Sequence, residues 1–274
     1  MIDRTAPIGA CGLSLCAALF FAAPTLAQTP PQPAAAQPAA SAWSFSLGAG
    51  AIVAPRYEGS DRLAVGALPL VEISWKDRIF LSSSRGLGGY IVSTDAFKLS
   101  AAVGYDGGRD EKDGKRKSGK PNLLRGLGDI DASAVLNLSA EYEYSFFTAG
   151  LTASRYIGGS DGFTMTASLG AKLPVTDRLA LGLDVHSTWA DSAYMGDYFG
   201  ISAGQSRRSG RAKFNAEAGI KDVGATLSAT YKINDSMSLM LSGGLSRLIG
   251  DAGKSPVVAE KNQPSGMLGL SYRF

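Results

Sequence analysis

From Trp43 onward, large apolar residues fall on every second position. Trp43, Phe45, Leu47, Ala49, Ala51 and Val53 alternate with Ser44, Ser46, Gly48 and Gly50. The period returns in Phe163, Met165, Ala167, Leu169, Ala171 and Leu173 against Thr164, Thr166, Ser168, Gly170 and Lys172. Leu179, Leu181, Leu183 and Val185 oppose Gly182, Asp184 and His186, and Ala225, Leu227, Ala229, Tyr231 and Ile233 oppose Thr226, Ser228, Thr230 and Lys232. The last stretch sets Leu268, Leu270, Tyr272 and Phe274 against Gly269, Ser271 and Arg273. A period of two marks a strand with one apolar and one polar face. These stretches run about 10 to 13 residues, longer than the roughly 5 to 6 of soluble strands and close to the 9 to 11 of a tilted membrane strand. Aromatic residues gather at their ends. Trp43, Trp75, Phe97, Tyr142, Tyr144, Phe147 and Tyr231 are expected to form one interfacial girdle, and Tyr57, Tyr105, Tyr156, Phe163 and Trp189 the other.

Connections alternate in length as well. Lys76-Asp77, Thr94-Asp95, residues 143–145, Thr176-Asp177 and Asn234-Asp235 read as tight turns, whereas residues 55–61, 107–128, 158–162, 191–222 and 250–263 read as long loops. Short periplasmic turns and longer outer loops are the habit of outer-membrane barrels, which also favour an even strand count. That parity splits residues 78–94 into an up-strand near 78–83 and a down-strand near 88–93. The prediction is an all-β, antiparallel, up-and-down transmembrane barrel of about twelve strands over residues 43–274; ten or fourteen stay open, since residues 199–220 have room for another hairpin.

The first residues give the compartment. Arg4 precedes an apolar run over residues 8–21, and Thr25-Leu26-Ala27 supplies small residues at a cleavage point, the pattern of a secretory signal over residues 1–27. Residues 28–42 are rich in Pro, Ala and Gln and read as a solvated periplasmic tether. The 2 cysteines, Cys11 and Cys16, fall inside the signal, so the mature chain is expected to lack thiols and with them disulfides, cysteine metal sites and a cysteine nucleophile. Glycine numbers 34 in 274 residues, and only 19% of residues are charged, a balance that suits small residues on a curved sheet. A net charge of +3 gives no argument for nucleic acid as a partner.

Several loop stretches resemble the MltA-interacting protein family, also called MipA/OmpV. They are Pro55-Arg56-Tyr57-Glu58-Gly59-Ser60-Asp61, residues 125–129, Tyr198-Phe199-Gly200-Ile201, Gly219-Ile220-Lys221-Asp222-Val223, residues 247–252 with Ser255-Pro256, and the closing Tyr272-Arg273-Phe274. The resemblance implies an outer-membrane barrel that needs no cofactor or metal and closes through Tyr272 and Phe274. It also implies one of three roles: a non-enzymatic scaffold joining a lytic transglycosylase to a murein synthase, a narrow solute pore, or a surface adhesin. Outer-membrane lipid, lipopolysaccharide and the barrel-assembly machinery are the implied general partners.

Candidate chemistry is sparse. His186 is the 1 histidine and shares the polar face with Asp184, within reach along the strand. A Ser-His-Asp set of the phospholipase kind belongs toward lipid, whereas alternation points His186 into the lumen, so an enzyme is not expected. Glu72, Lys98, Asp131, Glu141, Lys172, Asp184, Lys232 and Arg273 also fall on the polar face and are expected to line the lumen, pairing and plugging it or leaving a narrow water path. Glu58 with Asp61 supplies two carboxylates, too few for a calcium site by themselves. Lys115, Arg116, Lys117, Lys120, Arg207, Arg208 and Arg211 are loop cations of the kind that meet lipopolysaccharide phosphates or remain solvated. Gly86-Leu87-Gly88-Gly89 has no following helix, which removes a nucleotide loop and leaves curvature and a tight turn.

Overall fold

A computed structural model describes residues 42–76, 78–115 and 121–274. The expected signal segment and the tether up to residue 41 lie outside the described residues, as do Arg116, Lys117 and Lys120. Among the described residues, twelve strands join in sequence order and close on themselves. They are β1 (Trp43–Pro55), β2 (Leu63–Trp75), β3 (Ile79–Ser82), β4 (Gly86–Ser93), β5 (Phe97–Asp106), β6 (Ser133–Tyr144), β7 (Phe147–Gly158), β8 (Phe163–Pro174), β9 (Leu179–Ala190), β10 (Gly219–Lys232), β11 (Met237–Leu248) and β12 (Asn262–Arg273). All pairings are antiparallel. Closure is made by the chain's last residues: Tyr272 pairs with Leu47, Arg273 with Ser46, and the Phe274 N–H donates to the Phe45 carbonyl at 3.0 Å.

The period of two becomes an inside and an outside. Leu227 is 64% exposed and Leu169 63%, while inward neighbours such as Thr188 and Thr164 are buried. A wall with its oily face outward is stable only in hydrocarbon, where every strand must also find a hydrogen-bonding neighbour. The tight turns and both ends of the barrel segment share one rim, the periplasmic one in outer-membrane barrels. Tyr144 belongs to β6, so the turn before β7 is only Ser145-Phe146, with Ser145 at φ +57°.

The long loops do not stand off the barrel. Buried apolar residues lie mainly in and beneath them, in one cluster of Ala190, Tyr194, Met195, Tyr198, Phe199, Ala216, Leu248 and Ala252 and a second of Tyr57, Leu124, Leu127, Ile201 and Val257. Residues 191–218 hold no further hairpin; they form α1 (Ser192–Phe199) and α2 (Ala203–Ser209). The local chemistry shows why. Asp191 accepts from the Tyr194 N–H at the start of α1, and Ser202 with Gln205 makes a reciprocal capping box at α2, which Gly210 ends at φ +71°. A short α3 (Gly250–Lys254) follows β11.

Three expected placements change. Tyr57 is buried and donates to the Val257 carbonyl at 3.1 Å instead of meeting headgroups, because the β1–β2 loop folds inward. Tyr156 pairs with Val135 on the inward face, as parity with Ser154 and Thr152 requires, and its ring packs on Tyr194. Asp131 is not in the lumen wall: β6 begins at Ser133, so the polar face extrapolated past the strand's end into an exposed loop residue.

Candidate functional site

The outer half of the lumen is a vestibule whose groups come from well-separated stretches of chain. The β1–β2 loop brings Tyr57 and Glu58; β5 brings Asp106 and the loop after it Arg109; β7 brings Tyr156; β9 brings Thr188; α1 brings Tyr194 and Tyr198; β10 brings Lys221 and Asp222. They surround a cavity of about 530 Å3.

Lys221 is central. Strict alternation would send it toward lipid beside Asp222, yet it is 6% exposed and lines the cavity. A bulge does this: pairing of β10 with β9 skips from Ile220↔Trp189 to Asp222↔Thr188, leaving Lys221 as the extra residue. Its ammonium lies 2.6 Å from Glu58 Oε1 and 2.6 Å from Asp222 Oδ2. Tyr194 donates to Glu58 Oε2 at 3.2 Å, and Tyr198 donates to Asp106 Oδ1 at 2.9 Å. The Tyr194 and Tyr198 rings stack 4.4 Å apart at 19°, with Tyr156 tilted against Tyr194 at 5.2 Å. Burial, then the Glu58 carboxylate, pushes the Tyr194 phenol well above its usual range; burial, then Asp106, does the same for Tyr198. Arg109 is 4% exposed, donates to the Tyr198 carbonyl, and is lowered by desolvation from its usual value.

His186 does not hydrogen-bond Asp184. Its Nε2 lies 3.4 Å from Ser246 Oγ and 3.6 Å from Asp222 Oδ1, the second beyond hydrogen-bond range. Serine and carboxylate thus meet the same ring nitrogen, whereas a catalytic set needs one on each. The vestibule is an electrostatic lock, with cations from the wall and a loop set against carboxylates from a loop and strands.

A second cavity of about 450 Å3 lies nearer the short turns, lined by Phe80, Arg85, Lys98, Glu141 and Asp184. Arg85 stacks on Phe80 at 4.0 Å and pairs with Glu72, and Lys98 donates to Glu143 at 3.2 Å. Lys172 with Asp184 lines a smaller recess beside it.

The sequence matches the family described as MltA-interacting protein MipA over residues 47–274. The chain belongs to the MipA family. Among curated relatives it is similar to "Putative outer membrane protein YiaT" of Escherichia coli (strain K12), 31% identical over 123 residues, which are 44% of this chain and 49% of that protein. The protein of the same name in Escherichia coli O157:H7 matches equally. The matched stretch thus spans about half the length of these relatives. Among solved structures, the COG4313 outer membrane channel from Pseudomonas putida F1 aligns at 13% identity and TM-score 0.42, covering 90% of this chain and 100% of that one. Salmonella typhi OmpF in complex with daunomycin aligns at 10% identity and TM-score 0.39, covering 84% and 97%.

In this MipA-family barrel the loop residues singled out from sequence converge. Glu58 meets Lys221 beside Asp222; the Gly59 N–H donates to Gln263 Oε1 at 2.9 Å; Ser255 donates to the Phe199 carbonyl, next to Tyr198 and Gly200. Gly219 opens β10 just before the bulge, and Pro256 follows Ser255 in the strap after α3. Glu58 is occupied by an ammonium from the chain itself, which removes it as half of a cation site with Asp61. Glu141, Lys172 and Asp184 line the lower cavities, His186 lies beside Ser246 and Asp222, and Lys232 and Arg273 sit at the periplasmic rim. Arg208 and Arg211 are spent on the Gly126 and Asn122 carbonyls. Sequence reading missed Lys221, Arg109, Tyr194 and Asp106 as site members. One signal was available: Lys221 beside Asp222 puts two charges on adjacent strand positions, which only a bulge can turn to the same side.

Proposed function

We propose that this chain, exported by the signal at residues 1–27, is a closed, non-enzymatic outer-membrane platform that holds a murein-processing partner at its periplasmic rim. The observation that carries the reading is the inward packing of the outer loops. Met195, Phe199, Leu124 and Val257 are at most 1% exposed above the vestibule, and the Glu58–Lys221–Asp222 group ties loop to wall. A lumen sealed in this way suits an anchor better than an open channel. The rim offered to a partner is small, with Phe146, Val175 and Ile233 exposed in its turns. The family description names MltA as an interacting protein, and the resemblance drawn from the loop motifs implies a lytic transglycosylase, which makes that enzyme class the first partner to try.

Purified chain in periplasmic extract is expected to retain a lytic transglycosylase, and Phe146→Asp with Ile233→Asp to lose it while still folding. In planar bilayers the barrel is expected to give little or no conductance. Failure to retain any murein enzyme, together with solute-dependent swelling of proteoliposomes, would favour a narrow pore, a reading the two polar cavities support.

A further inference from the structure

The barrel wall has a window. β2 extends from Leu63 to Trp75, but β3 pairs with it only from Glu72 to Trp75. On the other side β4 and β5 pair no further than Leu87↔Val103, although β5 continues to Asp106. The β3–β4 hairpin therefore fills only the part of the wall near the periplasmic rim, and above its turn at Ser83, Ser84 and Arg85 no strand among the described residues lies between β2 and β5. Val71 is the last residue of β2 joined across this side: its N–H donates to Ser83 Oγ at 2.8 Å and its carbonyl accepts from the Ser83 N–H at 2.9 Å. Backbone groups repeat their direction every second residue, so those of Leu63, Val65, Ala67 and Pro69 point into the opening. Among the described residues, none of these four has a hydrogen bond on that side. The opening is bounded above, where Arg56 meets Asp113 at 3.7 Å and Arg62 donates to the Lys115 carbonyl at 3.2 Å.

The inner surface beside the window differs from the rest of the lumen. Most other inward positions of the wall are small or polar, with aromatic rings only at Phe80, Tyr90 and Tyr156; here Ile52, Leu68, Leu70, Met240 and Met267 make a continuous aliphatic and thioether strip. Leu70 lies across β1, whose inward Gly48 and Gly50 have no side chains, so that it and Met240 both reach the space over Gly269. Ile52 is 38% exposed on this inner face, and Val65 on the window's edge is 78% exposed. The apolar strip begins at the opening and leads inward to two polar cavities, one lined by Ser84 and Arg85 at the sill, the other by Pro55, Asp106 and Gly108.

We propose that this window admits the hydrocarbon chain of a single-chain amphiphile of the fatty-acid class from the surrounding lipid, which lies along Ile52, Leu68, Leu70, Met240 and Met267 with its polar head in the hydrated lumen. Unpaired backbone facing lipid is costly unless it borders a wet space, and the head and water of such a ligand provide one. A partner strand is the other way to satisfy that edge, but Pro69 has no N–H to offer on it and breaks the ladder. The inference stands apart from the platform reading, since the outer end can be sealed while the side is open.

The test uses refolded barrel in phosphatidylcholine vesicles with palmitic acid bearing a terminal diazirine. Adducts are expected on the inward residues Leu68, Leu70 and Met267, saturable and displaced by unlabelled palmitate. A Cβ on Gly66 meets only Ile52 Cγ2, at 3.6 Å, so a side chain can start there without touching backbone, and the ring of Gly66→Trp is expected to cover the strip. It should lower inward adducts roughly tenfold, the effect of losing about 1.4 kcal/mol of binding, with adducts at outward Leu227 unchanged; Leu68→Gln serves as a second blocking variant. Adducts confined to outward residues without saturation would overturn the proposal. So would a disulfide-linked dimer of Val65→Cys in a chain with Cys11 and Cys16 replaced by Ser, since that edge would then be occupied by a second copy.

Discussion

Lys221 and its two carboxylates show how one buried ammonium sets the state of a whole vestibule. Its side chain is 8% exposed and that of Asp222 9%, so removing the cation leaves a largely buried carboxylate without its partner. Lys221→Met is expected to weaken the loop cap by about 3 kcal/mol, seen as faster protease nicking within residues 191–218 while the barrel itself stays intact on a detergent gel. Equal nicking rates would mean that the lock carries no load. Tyr194 and Tyr198 add a pH signature. Both phenols are raised above their ordinary value, chiefly by burial, so their contribution is complete below about pH 10, where an unperturbed phenol titrates, and is lost as pH rises through the higher folded-state values. A phenolate absorbance titration should therefore show a late-titrating class that shrinks in Tyr194→Phe and in Tyr198→Phe.

At the scale of elements, the barrel is built from strands whose period is plain and from two devices that break it. One is the bulge at Lys221 in β10; the other is the short β3–β4 hairpin, which turns below the top of its neighbours. Gly86 makes the second possible. It has φ +84°, and a side chain there would run into the Val103 carbonyl of β5. Gly86→Val is expected to cost about 3 kcal/mol through strain and overpacking, read as a lower urea midpoint for the heat-modifiable form. An unchanged midpoint would show that the hairpin does not need this close approach. The helices of residues 191–218 follow from ordinary caps, Asp191 and the Ser202–Gln205 box, which fill the length that had left room for a hairpin there.

For the whole molecule, the outer end is closed by loops while the side wall is incomplete between β2 and β5. If the cap is what blocks flow, deleting residues 192–217 should convert a silent barrel into a conducting one in planar bilayers. A deletion variant that folds yet stays silent would move the block to the lower cavity, where Arg85–Glu72 and Lys98–Glu143 pair.

Alternation from Trp43 to Phe274, tight turns on one rim and an even strand count were legible in the chain, because hydrocarbon outside and water inside impose a period of two on every span. Splitting residues 78–94 into two strands was legible for the same reason. The loop residues Tyr57, Glu58, Tyr198, Asp222 and Ser255 were recognisable as a set but not as neighbours. Their meeting, the inward turn of Lys221 and the gap beside β2 were decided by tertiary structure alone, since each depends on how far one strand runs past another, and a local period holds no record of relative height.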